Sequence, residues 1–229
     1  MVTRPTIEPS PIEIPEYRRM GNNYHFDYSL SRDEYVEFDG PLEYAFWLLK
    51  EGDPKVVKLC PQPLKVEERI NGKKLNYTFD LWTLEDDVGE ILWDVKDKKR
   101  LVQDVNGRWA PAKWPLIEQW ASQRNAEVRF VTQKQILTPK NKLLIQNWHE
   151  MLRFVGPASP RITQAERDEV VELVAEGAAS IGTLLRTLFR LDADKVISAI
   201  VRLVHAGLLT ANVDERPFNA DTIIGRAGG

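Results

Sequence analysis

Cysteine is nearly absent from this chain: Cys60 stands alone among 229 residues, which excludes a disulfide framework and a cysteine-built zinc site. Histidine is almost as scarce, and His25, His149 and His205 lie far apart in sequence, so any metal must sit mainly on oxygen. No apolar run approaches the roughly 20 residues that cross a bilayer. The opening stretch MVTRPTIEPSPIEIPEYRRM is proline-rich and acidic where a signal peptide is apolar. The expectation is a cytoplasmic protein with no membrane partner. An excess of positive charge is missing too, the net charge being −3, which taken alone argues against a nucleic-acid ligand.

The distribution of charge says more than its sum. Residues 96–160 carry 12 basic and 5 acidic side chains, whereas 41–95 carry 7 and 11. One basic block therefore begins at Lys96, and Lys98, Lys99 and Arg100 are its densest part. A lysine run is usually a solvated face; beside a cluster of acids it reads as a phosphate-binding surface for DNA.

With 43% hydrophobic residues the chain can build real cores. Residues 1–30 read as an extended arm, because Pro5, Pro9, Pro11 and Pro15 forbid a helix. DGPLEYAFWLLKEGDP reads as a helix with Pro41 in its first turn and Gly52 and Pro54 closing it. VVKLCPQPLKVEERI and LNYTFDLWTL read as two strands joined at Asn71-Gly72, a strong hairpin signal. EILWDVKD is a third strand, WPLIEQWASQRNA a helix, EVRFVTQKQI a strand, and 139–152 another helix. That order is α/β, over a domain spanning 31–155. After a linker at VGPASPRIT, residues 161–229 hold three amphipathic segments, capped by Thr163, Ser180 and Asp192, and a short hairpin. Three helices and a hairpin in so few residues match a small winged-helix module; a plain helical cap is the alternative.

Two acids stand out in otherwise apolar strands, Asp80 in TFDLW and Asp94 in LWDVKD. Alternate strand residues share a face, so Asp94 and Lys96 point one way and Trp93 and Val95 the other. If Asp80 projects to the same place, two carboxylates and one ammonium converge. Carboxylate oxygens suit Mg²⁺, and a lysine beside them can stabilise charge on a phosphate or position an attacking water. Taken alone, an acid followed two residues later by lysine is more often a structural pair on a half-exposed sheet.

Glu43 on the preceding helix, Asp80, Asp94-Val95-Lys96 and the basic block together resemble the PD-(D/E)xK nuclease superfamily. Phe79 stands where that superfamily often has proline before the first strand acid. More specifically, PLEYAFWLLKEGDPKVVKLCPQPLKV, YTFDLWT and WDVKDKKRL resemble the TnsA family, endonuclease subunits of heteromeric cut-and-paste transposases, over nearly the whole chain. The resemblance implies a restriction-endonuclease-like mixed sheet flanked by helices, followed by a winged-helix domain. It implies that Glu43, Asp80, Asp94 and the Val95 carbonyl bind Mg²⁺, with Mn²⁺ able to substitute, and that Lys96 assists catalysis. It further implies cleavage at the 5′ ends of a transposon while a DDE-type transposase cuts the 3′ ends, and docking of an AAA+ regulator ATPase on the C-terminal domain. The C-terminal segment, with 8 basic and 10 acidic residues, favours a docking role over phosphate binding. Two other classes remain open. One is a free-standing restriction or repair nuclease of the same fold; the other is a non-catalytic scaffold on a decayed nuclease fold, against which the complete acid and lysine set argues.

Overall fold

The computed structural model describes residues 9–19, 23–103, 107–157, 159 and 162–228. The chain divides into two compact units. The first contains the described residues up to Phe26 together with Val36–Lys50 and Lys55–Thr138; the second contains Asp27–Tyr35, Glu51–Pro54 and the chain from Pro139 onward. The helix over 139–152 thus belongs to the second unit, although the sequence places it in the first domain. The expected linker at 156–160 falls inside that second unit, with residues 158 and 160 outside the described set.

The expected N-terminal arm is extended only in part. Its described portion makes one helical turn, α1 (Glu16–Arg19), and enters strand β1 (His25–Ser29), which pairs with β2 (Glu34–Phe38). Before α1, the Ser10 and Ile12 amides donate to the Pro63 and Gln62 carbonyls, and Ile14 is buried. Helix α2 (Pro41–Glu51) follows, with proline at its start, where the missing N–H costs nothing. Phe46, Trp47 and Leu48 on it are buried.

The centre of the first unit is a four-stranded mixed sheet. Its strands are β3 (Val56–Pro61), β6 (Leu81–Glu85), β7 (Gly89–Lys96) and β10 (Glu127–Thr132), in the order β10-β7-β6-β3. The β3–β6 and β6–β7 pairs are antiparallel, and β10 joins β7 in parallel. Between β3 and β6 the chain forms a second ladder, β4 (Lys65–Ile70) with β5 (Lys73–Thr78). Its turn at Asn71-Gly72 has φ of 49° and 79°, the left-handed pair that the sequence motif announces.

The two long strands expected on either side of that turn each break in the middle. Gln62 adopts φ 43° before Pro63, and opposite it the chain bends at Phe79-Asp80. The Gln62 amide donates to the Asp80 carbonyl and the Phe79 amide to the Leu64 carbonyl, so one kinked hairpin serves two sheets.

After β7 come a 3-10 turn (Lys98–Arg100), a small hairpin of β8 (Leu101–Gln103) and β9 (Trp109–Pro111), and helix α3 (Trp114–Ser122). Trp114, Ile117 and Trp120 of α3 pack with Cys60, Trp82, Leu84, Leu92 and Phe79 on one face of the sheet. The strand expected over 127–136 ends at Thr132, where a capping box with Gln135 starts the short helix α4 (Gln133–Ile136).

In the second unit, α5 (Pro139–Leu152) precedes α6 (Gln164–Glu176), α7 (Ile181–Thr187) and α8 (Ala193–His205), the last three capped by Thr163, Ser180 and Asp192 as expected. β11 (Ala179–Ser180), β12 (Leu209–Ala211) and β13 (Ile223–Arg226) form an antiparallel sheet in the order β11-β13-β12. Val170, Leu184, Val196, Ile200 and Ile224 are among its core residues. Asn147 of α5, 1% exposed, donates to the Val213 and Arg216 carbonyls and accepts from the Phe218 amide, so it holds the β12–β13 connection. No helix among the described residues is long and apolar enough to cross a membrane.

Candidate functional site

Asp94 sits within β7 and is fully buried, a position that an isolated carboxylate tolerates only with a partner or a bound proton. Lys96, two residues on and therefore on the same face, supplies the partner: its Nζ lies 2.5 Å from Asp94 Oδ1 and 3.8 Å from Asp80 Oδ2. The Val95 carbonyl also accepts from Lys96 Nζ, at 3.4 Å. Asp80 is delivered by the kink in the hairpin. Its amide donates to the Trp93 carbonyl, and its Oδ2 accepts the Val95 amide at 2.6 Å. Asp80, Asp94, Val95 and Lys96 thus come together as the sequence suggests.

Glu43 enters from the first turn of α2. It feels the charges of Lys96 and Asp94, and Gln62 hydrogen-bonds to its side chain. With Val95, Asp97 and Arg100, Glu43 lines a cleft of about 550 Å³. Asp80, Asp94 and Lys96 are not part of that lining. Lys98, Lys99 and Arg100 are exposed and form the turn directly after β7, with the Asp97 side chain accepting the Lys99 amide. A second cavity, about 500 Å³, lies among Tyr28, Asp33, Arg167 and Arg202 of the other unit and contains none of the candidate residues.

Three carboxyl groups are held above their ordinary range. Burial is the largest cause for each. For Asp80 the neighbouring Glu43 charge adds to it, for Glu43 the Asp39 charge does, and in both Lys96 opposes the shift. For Asp94, Lys96 opposes through both its charge and its hydrogen bond. One ammonium therefore compensates several acids incompletely.

Two further residues complete the surroundings. Tyr77 is partly buried with its ring 5.6 Å from Lys96 Nζ, and burial followed by the Asp94 charge drives its phenol pKa upward. Gln62 carries the positive φ at the kink and hydrogen-bonds to Glu43. Sequence alone assigns neither a role, although both lie in the stretches that carry the TnsA resemblance, PLEYAFWLLKEGDPKVVKLCPQPLKV and YTFDLWT.

The buried oxygens Glu43 Oε2 and Asp94 Oδ2 have no hydrogen-bond partner. Oxygen donors of this kind suit a hard divalent cation such as Mg²⁺, which prefers carboxylates and retains water. Among the described residues, no three His, Cys, Asp or Glu side chains form a ready-made metal cage. Instead, Lys96 occupies the cationic position between the two aspartates. No family model matches the chain, and no curated protein matches it significantly.

Proposed function

We propose that this chain is a metal-dependent DNA endonuclease of the PD-(D/E)xK kind, acting as a TnsA-like subunit that cuts the 5′ ends of a transposon beside a DDE-type transposase. One observation carries the reading: Glu43, Asp80 and Asp94, all held above their usual carboxylate range, share a single lysine at the end of a mixed sheet. A structural ion pair needs one acid per base, and the surplus of acid favours a cation.

In this reading Glu43, Asp80, Asp94 and the Val95 carbonyl hold Mg²⁺, with Mn²⁺ as a substitute. The ion would supply Lewis-acid activation of water and charge neutralisation at the phosphate. The chain's own residues do the rest. The kink at Gln62 and the Val95 amide fix the Asp80 carboxylate before substrate arrives. Lys96, which compensates the aspartates, is the group left to face a phosphate or orient water once a divalent cation shares that work. Lys98, Lys99 and Arg100 hold the DNA backbone by charge alone and read no sequence.

The order α6, β11, α7, α8, β12, β13, with the three strands in one small antiparallel sheet, supports a winged-helix reading of the second unit. Its acidic balance favours docking of an AAA+ regulator over DNA contact. With backbone contacts but no base readout of its own, the protein depends on the transposase to deliver the ends.

The test is a strand-resolved cleavage assay on transposon-end DNA with Mg²⁺. The expected result is little cutting by the lone protein and 5′-strand cutting near the element boundary once the transposase is added. Robust sequence-specific cutting by the lone protein would instead identify a free-standing restriction-type nuclease.

A further inference from the structure

Of the seven tryptophans, six are buried: Trp47, Trp82, Trp93, Trp114, Trp120 and Trp148 are at most 8% exposed. Trp109 is 58% exposed, on the short β8–β9 hairpin that follows the basic turn. An indole in water is unusual for a fold that buries all its others, and its neighbours show what would cover it.

Trp109 stands opposite Gln103 in the ladder, and Gln103 ends the strand that begins directly after Arg100. Arg100 lines the same cleft as Glu43 and Val95. Several other cations of this unit are neutralised, Lys50 by Glu85, Lys55 by Asp87, Arg124 by Glu68 and Arg129 by Glu127. Lys98, Lys99 and Arg100 have no ion-pair partner among the described residues. An exposed aromatic ring beside unneutralised cations complements a polyanion that also offers flat apolar faces, which is unpaired nucleic acid. A duplex hides its base faces in the stack, and an acidic protein segment offers charge without a face for the ring.

We infer that Trp109 stacks on an unpaired base of the DNA strand held by Lys98, Lys99 and Arg100, so that the substrate bound at this site is a duplex with a frayed or single-stranded end. The inference rests on the nuclease reading for the position of the cut, but the stacking has its own signature. Because Trp109 is the one solvent-exposed indole, quenching of tryptophan fluorescence by DNA reports on it directly.

The full-length protein, held in Ca²⁺ to prevent turnover, is titrated with a blunt duplex and with the same duplex carrying a short unpaired tail. The expected result is tighter binding of the tailed duplex, with fluorescence quenching and protection of one tryptophan from acrylamide. Trp109→Ala should lose the quenching and weaken tailed-duplex binding roughly tenfold or more, while Trp109→Phe retains most of the affinity. Blunt-duplex affinity should be unchanged in both variants. Equal binding of the two duplexes, or a Trp109→Ala variant that binds the tailed DNA as the parent does, overturns the inference. Binding of neither DNA overturns it together with the nuclease reading. Quenching that persists alongside an Asp94→Asn variant that still cuts would sink only the assignment of the metal site.

Discussion

Val95 donates its backbone N–H to Asp80 Oδ2 at 2.6 Å, in place of a partner from the neighbouring strand. The β6–β7 ladder ends at Leu81 opposite Trp93, and beyond it the Phe79 amide has turned away to Leu64. A side-chain carboxylate therefore finishes the sheet that holds it. Structure and candidate chemistry meet in the same oxygen.

Asp80→Asn and Asp80→Ala should separate those two roles. An amide oxygen still accepts from Val95, so Asp80→Asn should keep or raise the melting temperature by relieving repulsion with Glu43 and Asp94. Asp80→Ala leaves the amide unpaired and should cost about 1–3 kcal/mol. Both should lose cleavage in the strand-resolved assay, as should Asp94→Asn.

Stability should depend on pH with a definite sign. Glu43, Asp80 and Asp94 have pKa values raised in the folded state, so the fold holds protons that the unfolded chain releases near pH 4. Their contribution is complete below the ordinary carboxylate range and is lost as pH rises through the raised values. In EDTA the melting temperature should fall as pH rises above the ordinary carboxylate range, and Mg²⁺ should restore it at the higher pH. A flat profile in EDTA would remove the electrostatic basis of the site.

In stability, Lys96→Ala should behave oppositely to Asp80→Asn. Removing the shared ammonium leaves the aspartates uncompensated, so the variant should melt lower than the parent in EDTA, with much of the deficit recovered in Mg²⁺. Cleavage should be abolished while metal binding, followed by calorimetry, is retained.

A chain starting at Glu16 should fold yet cut poorly. It lacks the Ser10 and Ile12 amides that hold the Pro63 and Gln62 carbonyls, and Gln62 in turn donates to the Asp80 carbonyl. Loosening that relay should lower the cleavage rate more than the melting temperature. Wild-type cutting by the shortened chain would show that the kink stands without its brace.

Gly52→Ala should destabilise the second unit. A Cβ there would lie 1.9 Å from Trp148 Nε1, in a buried ring that has nowhere to go. A cost of about 1–3 kcal/mol is expected, read as a lower midpoint in urea unfolding.

Much of this was legible in the sequence for stateable reasons. Two-residue periodicity put Asp94 and Lys96 on one face, the Asn71-Gly72 pair fixed a turn that tolerates left-handed backbone, and Thr163, Ser180 and Asp192 marked helix starts by hydrogen-bonding to orphan amides. The break at Gln62 was not legible, because the positive φ of a residue other than glycine follows from tertiary bonds to the arm and to Asp80. The place of α5 in the second unit was equally hidden. Its amphipathic pattern shows that one face is buried but not against what, and Asn147 reads as an ordinary surface amide until its three backbone partners are seen.

The change of sheet at Gln62 also sets where this protein can vary in length. On the near side, β3 and β6 are tied register by register to the strand bearing Asp94, and inserting one residue there would turn alternate side chains to the wrong face. On the far side, β4 and β5 pair only with each other within their sheet, and their turn at Asn71-Gly72 is exposed. Residues added two at a time at that tip would extend the ladder outward and leave Asp80 in position. The outer hairpin is thus a natural point for grafting an epitope or a fluorophore, or for insertions to accumulate over evolution, while the acids at its base stay in place.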